Sequence, residues 1–475
     1  MSTVVKPAEF QPTAAAAGDG TVSEKLADFA TSFSLDDAPA DIVTLAKMHV
    51  LDCFGIGLAS TTMDYGQRAV TAGRGLGGEG DFPVIGMADR LPLRDAAMVN
   101  GTLIHGLDFD DTHTTGVMHC SASAVPVMFA MALAGGKSGE EALAAYLMAI
   151  EAGTRIARTA RGGLHRAGFH TTAIVGAYAC TLLAGRLADL TPAQIADAQG
   201  LTLSMAGGTR EYHSNGAWSK RIHPGLAAVN GITAAGWAKH GYTGPRTAYE
   251  GQYGLFNCNG NQLEVDLDEC TAGFGEDWEI RNVAYKPYPA CHFNHAFADA
   301  TLKLRDEHNL TPDDIESVTA LVHKDQMAVV MPEERKRRPH SAYAAQFSIH
   351  YMVAACLARG QFTLAELDPE TYTDPAILAL CDRTTFEVTE ETLFPDYFSG
   401  TVIIRTKDGR ELKHYQKYNL GSDGNPISDD HVVAKFMSNA TRAVSERRAR
   451  RVYDAVMAME ELPDLLELDA AVSLS

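Results

Sequence analysis

The stretch HGLDFDDTHTTGVMH, residues 105–119, sets three carboxylates and three imidazoles within 15 residues. Burying such a set costs several kcal/mol unless each member is paired, so a cleft suits it better than a core. Three roles are open to it. Asp and His are metal ligands, but Asp108, Asp110 and Asp111 do not match a twelve-residue calcium loop and no His-Glu-x-x-His is present. A carboxylate orienting a histidine would move protons near neutral pH. The carboxylates could instead cap the helix that follows, with the imidazoles satisfied internally.

Four further clusters carry polar chemistry. In GGLHRAGFHTT, residues 162–172, glycines permit close approach, and His170 with Thr171 and Thr172 enters a helix whose N–H groups favour a carboxylate. The bland alternative is a glycine-rich joint with His170 as its cap. Residues 207–213 (GGTREYH) lead into Ser219, Lys220, Arg221 and His223, and because Lys220 and Arg221 are adjacent, only one of them is expected to face a pocket. In YKPYPACH, residues 285–292, two prolines stiffen the chain on either side of Tyr288 and would hold Lys286 and His292 at a domain boundary, unless they merely form a linker. Cys291 beside His292 is too weak a signal for a nucleophile. The run RKRRPHSAYAAQFS, residues 335–348, is the most basic, and reads either as carboxylate contacts or as a solvated loop.

Composition narrows what these clusters can serve. Lys and Arg total 40 against 60 Asp and Glu, a formal charge of −20 over 475 residues. A nucleic-acid-binding surface is unexpected, whereas positive groups concentrated beside glycines suggest a pocket for a small anion. Eight cysteines lie scattered without a Cys-x-x-Cys pair, as in a reduced cytoplasmic protein. Residues 1–20 lack the apolar core of a signal peptide, and the apolar run Ala122–Ala134 is shorter than the roughly 20 residues that span a bilayer. No membrane association is expected, and neither nucleotide-binding glycine signature is present.

Helices must carry most of these clusters. Apolar residues recur at three- and four-residue spacing in residues 39–60, 95–107, 122–134 and 139–161, with further helices over 191–206 and 225–240. Small residues throughout allow close packing in a mostly helical bundle. After Cys270 the pattern changes. Residues 317–323 and 401–406 read as strands, the second turning through Asp408-Gly409 into 411–414, with helices over 341–359 and 374–381 between them. The expected fold is mainly α, with an arm over 1–22, a helical domain over 23–270, a smaller α/β domain over 271–411 and C-terminal helices over 412–475. Pattern alone leaves open whether those last helices rejoin the first bundle.

Five runs, HGLDFDDTH, GLHRAGFHTT, SKRIHPGLAA, YKPYPACH and RPHSAYAAQFS, resemble the MmgE/PrpD family in sequence and in order, over about residues 23–466. That family includes 2-methylcitrate dehydratase, cis-aconitate decarboxylase and iminodisuccinate epimerase. The resemblance implies a large all-helical domain, completed by the C-terminal helices, with an inserted α/β lid. It also implies a homodimer that needs no metal or organic cofactor. In the decarboxylase branch the cleft residues correspond to Asp108, Thr112, His119, His170, Lys220, Lys286 and His292, with Tyr343 a looser match. Two departures, Cys120 where Pro is common and Gln346 where many relatives have Lys, are expected to change which substrate carboxylate is held.

Together these readings predict a lyase acting on a small di- or tricarboxylate by proton transfer next to a carboxylate. Asp108, His119, His170, Lys220 and Lys286 are assigned to catalysis, and Thr112, His113, Arg221, His223, His292 and Tyr343 to substrate binding. An aminodicarboxylate epimerase and a noncatalytic acid-binding protein are the alternatives.

Overall fold

The computed structural model describes residues 20–214, 216–260, 264–394 and 397–474. The expected arm over 1–22 lies almost wholly outside them. The protein is mainly α-helical, with a smaller unit built on a four-stranded sheet. Two apolar cores organise it. The first gathers the helices Val22–Ser32, Ala40–Ser60, Leu93–His105, Ser121–Gly135, Gly139–Thr159, Thr171–Leu187, Pro192–Thr202 and Ser219–Lys239, together with Val432, Phe436, Val452 and Leu468 from the C-terminal helices. The chain therefore returns to the first bundle at its end.

Close helix approach rests on small residues. At Gly231 an added Cβ would stand 2.5 Å from Cys180 backbone and side-chain atoms, so the helix bearing Lys220 lies directly on the helix that begins after His170. That Lys220 helix starts at Ser219, six residues ahead of the expected Gly225. Pro224 sits inside it, and the missing N–H costs only the bond to the Lys220 carbonyl near the helix start.

The sheet runs in the order Thr384–Val388, Ile315–Val322, Gly400–Thr406, Glu411–Gln416, its first pair parallel and the others antiparallel. Val318, Ala320, Val322, Val402 and Ile404 point into the second core, which the helices His295–His308 and Ile349–Arg359 cover. The hairpin turns at Gly409, whose φ of +90° suits glycine.

Several boundaries differ from the sequence reading. The strand Glu411–Gln416 pairs in full with Gly400–Thr406, and Trp278, Ile280 and Val283 pack into the first core, so neither end of the expected 271–411 span coincides with a break in packing. Helix 341–359 divides at Phe347, because Ser348 Oγ accepts from Tyr351 N at 3.0 Å and starts a new helix. Likewise Ser445 caps the helix Glu446–Met457 within the expected C-terminal helical span of 412–475. Among the described residues one helix, Ala40–Ser60, is long and apolar enough to cross a membrane, and 83% of its apolar window is buried by the rest of the chain.

Leu107 and Phe109 belong to the second core, while Met118 and Cys120 belong to the first. The loop between them thus sits on the seam. A two-residue antiparallel pairing of Thr112–His113 with Val283–Ala284 ties that loop to the segment carrying Lys286.

Candidate active site

A cavity of about 690 Å³ opens at this seam, lined by Asp108, Thr112, His119, His170, Lys220, Lys286, His292 and Tyr343, with residues of the sheet-bearing unit closing one side. Two other hollows, of about 290 Å³ beside Lys137 and about 710 Å³ beside Trp278, hold none of these residues.

Asp108 is the hub. Its φ of +52° is left-handed, a conformation that Asp tolerates better than most side chains. Its Oδ1 accepts from Lys220 Nζ at 2.8 Å and from Lys286 Nζ at 2.9 Å, and Lys286 also donates to the Asp108 carbonyl at 2.9 Å. Burial would push this carboxyl up, but the ammoniums of Lys220 and Lys286 more than reverse that and hold it well below the usual range. Lys220 shows the converse: burial disfavours its charge, and Asp108 restores it so that its value rises.

His119 faces the same carboxylate, with Nε2 3.8 Å from Asp108 Oδ1. Its Nδ1 lies 2.8 Å from the Asp111 carbonyl, a group that only accepts, so in the neutral ring Nδ1 carries the proton and Nε2 is bare. Burial, then the charges of Lys286 and of His105 and Lys220, drive this imidazole well below its ordinary value. The resting site therefore holds a neutral, fixed proton acceptor beside two cations. His105 Nδ1 donates to Asp110 Oδ2 at 2.7 Å, and Asp111 accepts from the Ser121 backbone at 3.1 Å and from its hydroxyl, so both neighbouring carboxylates are engaged by structure around them, while Asp110 Oδ1 has no hydrogen-bond partner among the described residues.

His170 stands at the start of its helix, where its N–H donates to Gly208 O at 2.9 Å. The Gly208 turn crosses that helix so closely that a Cβ would lie 2.5 Å from Ala173. His170 Nδ1 meets His223 Nδ1 at 2.9 Å, so one ring donates and the other accepts. Burial and nearby positive charge keep both neutral, His223 at about 4. His292 Nε2 accepts from Asn419 Nδ2 at 2.9 Å, and its ring packs against Phe398. Burial pushes the Tyr343 hydroxyl up to about 12, leaving it a proton donor.

Three residues expected to bind substrate are placed elsewhere. His113 Nε2 pairs with Glu279 Oε2 at 2.9 Å, its other nitrogen accepts from Gly116 N, and the ring is buried in the bundle. Arg221 stacks its guanidinium over Tyr65 at 4.3 Å and Trp218 at 4.8 Å, so of the adjacent pair it is Lys220 that faces the cavity. His223 stands behind His170 as its partner. Gln346 does not face substrate either: its amide donates to Leu107 O at 2.5 Å and Pro289 O at 3.1 Å, and Cys120 is buried outside the cavity lining.

The cavity also contains residues that were not assigned to it. Arg210, Tyr212, His165 and His213 come from clusters already noticed for their charge, and Lys336 from the basic run. Phe347 closes the same basic run, whereas Asp325 and Phe398 lie on a turn and in a loop, and nothing in their local sequence marks them. For a metal, nitrogens of His105, His119 and His170 lie within 4.8 Å of one another, as do ligand atoms of Asp108, Asp110 and His119. The ammoniums of Lys220 and Lys286 already occupy Asp108 and oppose a cation there.

Comparison with known proteins agrees with this architecture. Residues 24–268 match the MmgE/PrpD N-terminal domain and residues 288–461 the MmgE/PrpD C-terminal domain. The chain is 27% identical over 479 residues to the cis-aconitate decarboxylase-like protein oryM of Aspergillus oryzae, covering 96% of this chain and 98% of that protein. It is 27% identical to a cis-aconitate decarboxylase of Aspergillus terreus (94% and 95% covered) and 27% identical to that of Homo sapiens (89% and 88% covered). The chain belongs to the MmgE/PrpD family, and that membership supports an enzymatic, lyase-type role on small carboxylates.

Proposed function

We propose that this MmgE/PrpD protein is a lyase that removes water or carbon dioxide from a small di- or tricarboxylate by proton transfer next to a carboxylate. The observation that carries the reading is the charge of the cavity. Arg210, Lys220, Lys286 and Lys336 line it against Asp108 and Asp325, four cations to two carboxylates, inside a protein of formal charge −20. The lining imidazoles His119, His165, His170, His213 and His292 are all held below their ordinary value, so they do not offset this surplus of two by proton loss or add to it near neutral pH. A polyanion is the complementary ligand.

In this reading one substrate carboxylate meets the ammoniums of Lys220 and Lys286, which share Asp108 and retain one net positive charge. His119 Nε2 takes the proton from the carbon beside that carboxylate. The enolate-like charge then develops against ammonium groups already in place, so little reorganisation is needed. A bound polyanion also raises the basicity of His119, which steadies the imidazolium it becomes. His170 or the protonated Tyr343 hydroxyl supplies a proton to a departing hydroxyl. Loss of carbon dioxide instead breaks the bond to a carboxylate, leaves its electron pair on carbon against the same ammonium groups, and takes one proton onto that carbon from His170 or the Tyr343 hydroxyl. The names of the fungal and human relatives favour decarboxylation, whereas the neutral resting His119 favours an elimination begun by proton removal.

Proton NMR in deuterated water with citrate, 2-methylcitrate, cis-aconitate and iminodisuccinate tests the reading. Loss of water or carbon dioxide from one of them is the expected result. Deuterium exchange or inversion without loss would replace it with an epimerase, and binding without turnover would replace it with an acid-binding protein.

A further inference from the structure

We propose that Lys435, on the C-terminal helix Asp429–Ala440, is a positioning residue for the reacting site: its ammonium fixes Asp108 by holding the residue that follows it. Lys435 does not line the cavity and is buried behind it. Its Nζ donates to the Phe109 carbonyl at 2.9 Å and to Asp52 Oδ2 at 2.8 Å, and it stands 3.9 Å over the centre of the Phe109 ring. One ammonium thus grips both the backbone and the side chain of the residue after Asp108.

Asp108 needs such a grip. A left-handed non-glycine residue is strained and persists only where its surroundings over-determine it. Four carbonyls of the loop each receive a side-chain donor, three of them from distant parts of the chain. Leu107 O takes Gln346, Asp108 O takes Lys286, Phe109 O takes Lys435, and Asp111 O takes His119. Lys286 and His119 belong to the cavity wall, so they change state as the reaction proceeds. Lys435 and Gln346 are the two anchors remote from it, and Lys435 alone is charged. It fixes the direction of the peptide between Phe109 and Asp110, and so restrains the loop at the residue next to Asp108, whose Oδ1 gathers both lysines.

A purely structural role explains this arrangement poorly. Replacing a buried ion pair by apolar groups of similar size is often neutral or stabilising, so Asp52 with Lys435 is weak support for the fold as such. Burial indeed opposes both charges, raising the Asp52 carboxyl and lowering the Lys435 amine, and Asp52 Oδ1 has no hydrogen-bond partner among the described residues. The pair is better explained by what its ammonium does to Phe109.

The inference rests on the catalytic reading of Asp108, and three variants separate geometry from stability. Asp52→Asn keeps the donor to Phe109 and is expected to lower the melting temperature while kcat stays within about threefold. Lys435→Met is expected to lower both the melting temperature and kcat, the latter at least about tenfold with KM nearly unchanged. The double variant removes the orphaned carboxylate charge, so it should regain melting temperature over Lys435→Met without regaining kcat. A crystal structure of the double variant should show Asp108 out of the left-handed region, with Oδ1 detached from one lysine. A double variant with kcat within about threefold of the parent, or with Asp108 unmoved, overturns the assignment. Failure of both Lys435 variants to fold also overturns it, by making Lys435 structural. If the parent turns over none of the tested acids, the lyase reading falls by itself, and the crystal structure still decides the positioning claim.

Discussion

The two walls of the cavity are built on different terms. On the helical side, Asp108, His119 and His170 each have a polar atom tied to other parts of the same wall, and their protonation is set before anything binds. On the sheet-bearing side, Lys336 donates only to the Phe347 carbonyl, at 2.7 Å, and has no carboxylate partner among the described residues, while Phe347 and Phe398 add apolar surface. One wall is finished chemistry. On the proposed function, the other is complete only with an anion against it, and reaction and part of recognition divide between two cores that meet at Leu107 and Phe109.

That division is breakable by substitution. Lys286→Met should cost most, about 10²–10³-fold in kcat, because Asp108 and the developing charge both lose an ammonium held in place. Steady-state kinetics would detect it, and a change confined to KM would contradict the division. His119→Gln should lose about 10²-fold in kcat with KM little altered. On the opposite wall, Lys336→Gln should raise KM by about tenfold and leave kcat within about threefold, and an equal fall in kcat would place Lys336 in the chemistry instead.

The smallest effect concerns protons and the fold. His165 and His223 are held at about 4 and His295 at about 3, all below the ordinary value near 6.5. Below pH about 6.5 the unfolded chain takes up protons that the folded one refuses. Stability should therefore fall by a modest amount as pH drops from about 6.5 toward 4, read as a declining melting temperature. By the same sign, His119 stays unprotonated through pH 6.5 in the unliganded protein, so kcat/KM should not lose its base there. A melting temperature flat across that range would contradict the buried, neutral state of these rings.

The helical wall was the more legible one. HGLDFDDTH, Lys220 and Lys286 stand out because charged groups interrupt apolar, glycine-rich surroundings where solvation does not explain them. What spacing does not reveal is which way a neighbour turns. His113, Arg221 and His223 sit in the same runs as true lining residues, yet they pair with Glu279, a set of aromatic rings and His170. Asp325 and Phe398 reach the cavity only through the fold of the sheet-bearing unit. Lys435 reads as an ordinary surface lysine on an amphipathic helix, and only packing buries it. Residues 317–323 and 401–406 read as strands because they are short and contain β-branched residues, close to the observed 315–322 and 400–406, whereas Thr384–Val388 is largely exposed and carries too weak a pattern.

The bonds from Lys435 to Asp52 and Phe109 join positions 383 and 326 residues apart. During synthesis the loop bearing Asp108 must wait, unanchored at Phe109, until nearly the whole polypeptide has left the ribosome, and contacts of such separation form slowly. A nascent fragment can acquire helices but not this geometry, so activity should arrive late and all at once, and a chain cut short at its last tenth would be born inert.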